Sequence, residues 1–159
     1  MEIERKFLLG NDSWRTGLEG CRMVQGYLAR DPHRTVRVRI ASDNAWMTIK
    51  GPTTGFSRQE IEFPLNMSIA QELLAMSLDT PIDKTRYEVR YAGMLWEIDE
   101  FHGANKGLIV AEIELPSEEF DFEKPPWLGK EVTSNRNFSN SKLAKRPWSE
   151  WTEEEKSLA

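Results

Sequence analysis

The sequence predicts a mainly β fold of the α+β class, with eight antiparallel strands and a few helices. Apolar and charged residues alternate with period two over the first two thirds of the chain, and short runs rich in Gly, Pro, Asn and Asp separate the alternating segments. Because most of these separations are short, neighbouring strands are expected to form hairpins and meanders. The predicted strands are 2–9, 22–30, 34–41, 45–50, 58–64, 82–91, 94–102 and 108–115.

The clearest helix outside the C-terminal region is predicted between the fifth and sixth strands. Ser68 is a residue type that caps helices, and Ile69, Leu73, Leu74 and Met76 fall roughly on one side of a helix that follows it. No repeat, low-complexity segment or linker divides residues 1–159, which are expected to form one domain with a partly helical tail from about residue 139. Further helical segments are expected at 117–122, ahead of an interruption at 125–129, and at 139–146 and 148–159.

The composition predicts a cytoplasmic protein. The chain has 159 residues with 39% hydrophobic content, enough to bury a core without disulfides, and its one cysteine, Cys21, has no internal partner. The N-terminal residues lack a basic leader followed by a long apolar run, and no stretch approaches the roughly 18 apolar residues of a membrane span. A formal net charge of −5 disfavours nucleic acid and anionic lipid. The expected protein therefore has no nucleic-acid partner and no membrane partner.

Charged residues occupy one face of nearly every predicted strand. Because neighbouring side chains of a strand point to opposite faces, residues two apart share a face. The first strand, for example, places Glu2, Glu4 and Lys6 together and opposite Ile3 and Phe7. The other charged residues that follow this pattern are Arg37, Arg39, Lys50, Arg58, Glu60, Glu62, Lys84, Arg86, Glu88, Arg90, Glu97, Asp99, Glu112 and Glu114.

This ionic face has two interpretations. A solvated face with the apolar face packed inward is the usual arrangement of such a sheet, and the pattern alone favours it. An inward ionic face would cost several kcal/mol per unpaired ion in a dry core, so it requires a wet, ligand-filled interior. The charges, however, occur as same-sign pairs, such as Arg37 with Arg39 and Glu112 with Glu114. Paired carboxylates suit hard cations and paired arginines suit phosphate oxygens, so the pairs indicate a binding surface.

The sequence resembles the CYTH superfamily, also called triphosphate tunnel metalloenzymes. Residues 2–6, EIERK, fit the ExExK signature of that family. The similarity covers nearly the whole chain, and it is greatest to the short bacterial members that act on tripolyphosphate. The further matches, in order, are QGYL at 25–28, VRVR at 36–39, TIKG at 48–51, SRQEIEFPL at 57–65, KTRY at 84–87, WEIDEF at 96–101, AEIEL at 111–115, PPWLGKEVT at 125–133 and the segment 140–143.

The resemblance implies an eight-stranded antiparallel closed β-barrel that encloses a triphosphate tunnel. The charged faces would turn into the tunnel, which reverses the interpretation favoured by the pattern alone, and a few helices would cover the apolar outside. Because the helices are few, some apolar surface on the outside of the barrel is expected to stay uncovered. Such a surface is compatible with a homodimer but does not require one.

The resemblance also implies roles for the charged residues. A small triphosphate is the implied partner, and Mg²⁺ or Mn²⁺ is the implied cofactor, since carboxylate oxygens favour these ions over zinc. The implied metal carboxylates are Glu2, Glu4, Glu112 and Glu114. The implied phosphate-binding residues are Lys6, Arg37, Arg39, Lys50, Arg58, Lys84 and Arg86.

Two groups of residues keep alternative roles. Lys84 and Tyr27 are candidates for the catalytic proton acceptor, but the alternative makes Lys84 a phosphate ligand and Tyr27 a wall residue. A lysine is protonated at pH 7 unless burial or neighbouring cations lower its pKa. The other group is either additional metal ligands or ion-pair partners of the basic residues; it comprises Glu60, Glu62, Glu97 and Asp99.

The implied function is metal-dependent hydrolysis of a triphosphate, with inorganic tripolyphosphate giving pyrophosphate and phosphate. The segment GPTTGFS lacks the spacing of a P-loop, and neither CxxC nor HExxH occurs in the sequence. The sequence therefore indicates neither a nucleotide kinase nor a zinc enzyme. Three alternatives remain: a class IV-type adenylate cyclase, a thiamine triphosphatase and a non-catalytic polyphosphate-binding module. The carboxylates argue against the last, because they would repel an anion in the absence of metal.

Overall fold

The computed structural model describes residues 1–157 and is mainly antiparallel β. Short 3₁₀ turns occur at Gly103–Asn105, Arg136–Phe138 and Trp148–Glu150. The helices are α1 (Met67–Ala75), α2 (Asn140–Lys145) and α3 (Glu153–Ser157). The strands are β1 (Glu2–Leu9), β2 (Cys21–Asp31), β3 (Arg34–Ala41), β4 (Asn44–Lys50), β5 (Ser57–Arg58), β6 (Glu60–Pro64), β7 (Ile82–Tyr91), β8 (Met94–Phe101), β9 (Ile109–Glu114) and β10 (Leu128–Glu131).

The described residues form ten strands instead of the eight that were predicted. Nine of them follow the order β10-β1-β9-β8-β7-β2-β3-β4-β6, and β5 pairs separately with β1. The predicted strand 58–64 is divided at Gln59, because its first residues pair with β1 and the rest pairs with β4. Within residues 1–157 the ladder therefore does not run as one continuous ring of eight strands. β10 was missed because its segment follows two prolines and was interpreted as an interruption.

The loop between β4 and β6 brings the two ends of the sheet together. The backbone N–H of Gly51 donates to the Gln59 carbonyl at 2.9 Å, which closes the loop, and β5 within it pairs with β1 through Glu2 opposite Arg58. As a result the Lys50 Nζ atom lies 3.0 Å from a Glu2 carboxylate oxygen, although β4 and β1 stand far apart in the ladder order. The sheet is thus strongly curled, with its charged side chains on the concave face.

Apolar clusters lie on both faces of the sheet. On the convex face Trp96, Ile98 and Ala111 are fully buried, and Trp14 and Trp127, from segments outside the sheet's central strands, pack over them. On the concave face, beside the charged side chains, the C-terminal region packs on Phe101 and Val110, which share that face with Asp99, through a cluster of Phe138, Leu143, Trp148 and Trp151. The outer face of β6 stays uncovered, with Ile61 52% and Phe63 42% exposed. The dimer contact that this surface would allow stays a prediction.

Helix α1 forms where the sequence predicts a helix, but its N-cap is not the predicted Ser68. Its N-cap is Asn66, whose side-chain oxygen accepts a hydrogen bond from the Ser68 backbone N–H, so Ser68 lies inside the first turn. Its buried residue is Ala70, whereas Ile69 and Met76 are exposed. The reason is close packing on β2, where a Cβ on Gly26 would lie 2.0 Å from the Ser77 hydroxyl just after the helix.

The C-terminal expectations hold only in part. α2 lies within the predicted segment 139–146, and α3 lies within the predicted segment 148–159, whose last two residues are outside the described range. Residues 117–122 form a turn and extended chain instead of a helix. No helix among residues 1–157 has the length and apolarity needed to cross a membrane.

Candidate functional site

The concave face of the sheet surrounds a cavity of about 70 Å³, here called the ionic cavity. Side chains from β1, β2, β3, β4, β5, β7 and β9 reach it, and the start of α2 closes one side. All the residues predicted to bind phosphate line this cavity, as do both candidates for the proton acceptor. Its lining residues are Glu4, Lys6, Tyr27, Thr35, Arg37, Arg39, Lys50, Arg58, Lys84, Arg86, Glu112, Ser139, Asn140 and Ser141.

A second cavity of about 90 Å³ adjoins the first and shares Glu4, Lys6, Arg58 and Ser139 with it. This outer cavity adds Glu2 from β1, residues of the β4–β6 loop and residues that follow β10. Eight basic and three acidic side chains line the two cavities. Because the net charge of the whole chain is −5, this local excess of cations is a property of the site, and it fits a compact polyanion.

An ion-pair network that is largely buried lies in the wall of the ionic cavity. The Lys84 ammonium donates to the Asp99 Oδ2 atom at 2.8 Å, and the Arg86 guanidinium donates to both Asp99 oxygens at 2.8 and 2.9 Å. Burial raises the pKa of Asp99, but Lys84 and Arg86 outweigh it and hold that pKa well below its usual range. Asp99 is therefore a permanent anion that is already saturated by protein cations.

Lys84 is the basic group whose charge depends most on its surroundings. It is 0% exposed, and burial lowers the pKa of Lys84 to about 7. Asp99 works against this shift, and the positive charges of Arg86 and Arg39 add to it. A lysine can act as a base near neutral pH if burial or neighbouring cations lower its pKa, and the surroundings of Lys84 supply both.

A cluster of carboxylates on β1 and β9 has too few cations. Burial is the largest cause that raises the pKa of Glu4, to about 8, and the charges of Glu112 and Glu2 add to it. In the described part of the chain, Glu4 forms neither a hydrogen bond nor an ion pair. Glu112 differs, because it lies 3.3 Å from the Lys6 ammonium, which overcomes burial and lowers the pKa of Glu112 to about 2. Glu4 is thus the carboxylate that most needs a further cation.

Glu114 lies apart from the cavities. It stands directly opposite Glu4 in the β1–β9 ladder and on the same face of the sheet, but it is exposed at the end of β9 and lines neither cavity. The structure therefore places three of the four predicted metal carboxylates in the cavities and leaves Glu114 at their edge.

The four acidic residues with alternative roles all form ion pairs, and none of them lines either cavity. The geometry favours the ion-pair interpretation over the additional-metal interpretation, because each carboxylate holds a basic side chain that does line the ionic cavity. The pairs are Glu60 with Lys50 at 3.3 Å, Glu62 with Arg37 at 3.6 Å, Glu97 with Arg86 at 3.1 Å, and Asp99 with Lys84 at 2.8 Å.

Sequence reasoning missed a set of uncharged polar residues in the site. Gln25, which is 0% exposed, accepts from the Arg39 Nε atom at 2.8 Å and donates to the Tyr27 hydroxyl at 3.1 Å. Asn140 accepts from the Lys84 ammonium at 2.8 Å. Tyr27 and Lys84, in contrast, share no hydrogen bond within the described residues. Gln25 and Asn140 lie in segments that match the CYTH pattern, and that match was the only signal that could have marked them.

Replacing Asp99 by asparagine is expected to lower the free energy of unfolding by about 3–5 kcal/mol, because the substitution leaves the buried Lys84 without its anion and leaves Arg86 with Glu97 alone. Urea denaturation at neutral pH measures this loss. Asp83→Asn is the matched control, since Asp83 pairs with the exposed Arg22 at 2.6 Å and its loss should cost far less. Equal losses in the two variants would contradict the structural role of Asp99.

The curled antiparallel sheet, the cation-rich cavity and the unpaired carboxylate beside it form a site whose chemistry fits a small polyanion together with a cation. The sequence model of the CYTH domain matches residues 1–146, which is most of the chain. The chain belongs to the CYTH domain family.

Named relatives agree with this membership. The chain is 42% identical over 153 residues to the inorganic triphosphatase of Acetivibrio thermocellus, and the matched region covers 96% of this chain and 98% of the relative. It is 34% identical over 149 residues to the inorganic triphosphatase of Nitrosomonas europaea, with 90% and 96% covered. The crystal structure of the inorganic triphosphatase NE1496 superimposes with a TM-score of 0.66 at 33% identity, over 89% of this chain and 96% of that one.

Proposed function

We propose that this protein hydrolyses a linear triphosphate, with inorganic tripolyphosphate as substrate and pyrophosphate and phosphate as products. The observation that carries the proposal is the ionic cavity, in which seven basic side chains from five strands converge. A triphosphate carries about four or five negative charges near neutral pH, and charge-assisted hydrogen bonds contribute about 1.5–3 kcal/mol each. The inorganic triphosphatases among its relatives support the same substrate class.

We infer that the curled sheet works as a tunnel around this substrate. β5 lies in the loop between β4 and β6, and its pairing with β1 brings this loop against the first strand. Basic side chains therefore reach the cavity from opposite walls. Lys6, Arg37, Arg39, Lys50, Arg58 and Arg86 would hold phosphate oxygens. Arg39 has a pKa lowered to about 10 by burial and by Arg37, so a bound anion relieves a repulsion that the free site contains.

We also infer a site for Mg²⁺ or Mn²⁺ beside Glu4. No three acidic, histidine or cysteine side chains converge tightly enough to hold a metal alone within residues 1–157. Mg²⁺ in phosphate-transfer sites commonly takes one or two carboxylates and completes its shell with substrate oxygens and waters, so such a cluster is not required. The unpaired Glu4, with Glu2 and Glu112 close enough to raise its pKa, fits this requirement, and Glu114 is proposed to complete the set at the cavity edge. The bound ion would neutralise phosphate charge and make water more acidic.

Lys84 is the proposed proton acceptor. Its amine lies in the ionic cavity, and its pKa of about 7 leaves a large neutral fraction at physiological pH. Water attacks the terminal phosphorus, its proton passes to the Lys84 Nζ atom, and an O–P bond forms. The bond between that phosphorus and the bridging oxygen breaks, and its electron pair leaves with pyrophosphate. The seven cations bind the charge that the leaving group gains.

Phosphate release is expected to be much faster from tripolyphosphate than from ATP, because the ionic cavity is lined mainly by charged and polar side chains, which contact phosphates and offer little apolar surface to a base. The decisive measurement compares tripolyphosphate, ATP, thiamine triphosphate and pyrophosphate, each with Mg²⁺, Mn²⁺ or a chelator. Chelator should abolish turnover. If ATP gave cyclic AMP and pyrophosphate as its main products, the protein would be a cyclase and the proposed hydrolase function would be wrong. Faster phosphate release from thiamine triphosphate than from tripolyphosphate would make thiamine triphosphate the substrate. Tight binding of tripolyphosphate without turnover would indicate a polyphosphate-binding module that is not an enzyme.

A further inference from the structure

Asn140 joins the C-terminal helix to the centre of the site. It is the first residue of α2, and α2 is held in place by the fully buried Leu143 and by the Ser139 side chain, which accepts from the Lys142 backbone N–H. The Asn140 Oδ1 atom accepts from the Lys84 Nζ atom at 2.8 Å and from the Gln25 Nε2 atom at 3.2 Å. Asn140 is therefore fixed from two sides, and its amide oxygen is aimed at the Lys84 amine.

The number of acceptors around Lys84 has a chemical meaning. An ammonium group has three N–H donors, whereas a neutral amine has two N–H bonds and one lone pair. In the described residues the Lys84 Nζ atom has two hydrogen-bond acceptors, Asp99 at 2.8 Å and Asn140 at 2.8 Å. When the amine is neutral, these two acceptors occupy both N–H bonds. The remaining direction of the nitrogen, which carries the lone pair, then has no hydrogen-bond partner among the described residues, and Lys84 lines the ionic cavity.

We propose that Asn140 is a positioning residue for the proposed hydrolysis: its amide oxygen, together with Asp99, takes up both N–H bonds of Lys84 and turns the lone pair toward the attacking water. The inference rests on the proposed function, because it assumes that Lys84 accepts the proton of that water. Asn140 does not touch the reacting atoms and acts only through Lys84.

The neutral character of Asn140 matters as much as its position. The charged groups that face Lys84 are Asp99 from β8, Arg86 from β7, Arg39 from β3 and Glu112 from β9. A carboxylate at position 140 would add a second anion in direct contact with the amine and would stabilise the ammonium, which is not a base. An amide accepts the same N–H without that charge. Asn140 thus orients the amine and leaves it free to lose its proton near neutral pH.

Two substitutions separate these effects. Asn140→Asp keeps an acceptor and adds a charge, so the midpoint of the pH dependence of kcat/KM for tripolyphosphate should rise by about one unit or more. Its kcat should approach the parent value at alkaline pH. Asn140→Leu removes the acceptor, so its midpoint should fall and its plateau kcat at alkaline pH should be about tenfold below the parent plateau, with KM little changed. Asn140→Ala replaces the leucine variant if the added bulk prevents folding.

The control is Asn137→Asp, which adds the same charge at an exposed position of the same segment that lines neither cavity. The ¹³Cε signal of Lys84 in the substrate-free chain, assigned with Lys84→Arg, reports the protonation of Lys84 independently of turnover. Unmoved midpoints in both readouts, or a leucine variant that reaches the parent plateau, would overturn the role of Asn140 and leave the proposed function intact. A parent chain that releases no phosphate from tripolyphosphate would overturn both.

Discussion

Glu4→Gln is expected to lower kcat for tripolyphosphate by at least about a hundredfold, because loss of a metal carboxylate removes several kcal/mol of electrostatic stabilisation and each 1.4 kcal/mol is a factor of ten. Glu4 is chosen because it is the unpaired carboxylate of the site, with a pKa raised to about 8 by burial and by Glu112 and Glu2. The amide has nearly the same shape, so the variant removes the charge and preserves the packing. Turnover is measured at saturating tripolyphosphate and limiting metal.

A second measurement tests metal binding without turnover. Mg²⁺ or Mn²⁺ added to the substrate-free parent should raise the Tm, since a ligand that binds only the folded state stabilises it, and Glu4→Gln should reduce that rise. Glu72→Gln on the exposed face of α1 removes the same charge away from the cavities and should behave like the parent. Near-normal turnover of Glu4→Gln under limiting metal would exclude Glu4 as a metal ligand.

Arg39→Ala separates substrate binding from metal binding. Arg39 lines the ionic cavity and is held by Gln25, and it forms no ion pair with a carboxylate within residues 1–157. Its loss should therefore chiefly raise KM, by about tenfold to a hundredfold for one charge-assisted contact. If Arg39→Ala and Glu4→Gln changed kcat and KM in the same proportions, the separate roles assigned to cations and carboxylates would be wrong.

Lys84→Arg is expected to lower kcat by about a hundredfold or more, because arginine keeps the positive charge but cannot accept a proton near neutral pH. KM should change less, since phosphate contacts to a cation persist. Lys84→Met controls for the larger size of arginine, because methionine is close to lysine in length and also cannot accept the proton. An Lys84→Arg variant that folds, with unchanged kcat and the parent pH profile, would eliminate Lys84 as the proton acceptor.

The same residue predicts the pH dependence of the parent. The base is the neutral amine, and its fraction grows as the pH rises through the Lys84 pKa of about 7. The value of kcat/KM should therefore increase through that region and level off at alkaline pH. The bound triphosphate adds negative charge beside Lys84 and favours the ammonium, so the midpoint of kcat should lie above that of kcat/KM. Both profiles are measured at fixed free metal concentration.

Much of the fold could be predicted because each strand carries its own pattern. Predicted strands such as 34–41 and 82–91 coincide with β3 and β7, since period-two alternation and the flanking turns are local properties of the chain. β10 and the division of a strand at Gln59 could not be predicted, because both arise from pairing with β1, which is distant in sequence. The buried face of α1 likewise depends on packing against β2, where the end of the helix approaches Gly26.

The sequence by itself determined which charged residues share one face of the sheet, and the family resemblance indicated what that face binds. It did not determine the direction of curvature, which places that face inside, because alternation is the same for either direction. Only the tertiary structure decided the role of each charge. Asp99 and Glu4 follow the same pattern, yet Asp99 meets Lys84 and Arg86, whereas Glu4 meets other carboxylates. The physical reason is that a pKa and a hydrogen bond depend on neighbours across strands, and folding alone chooses those neighbours.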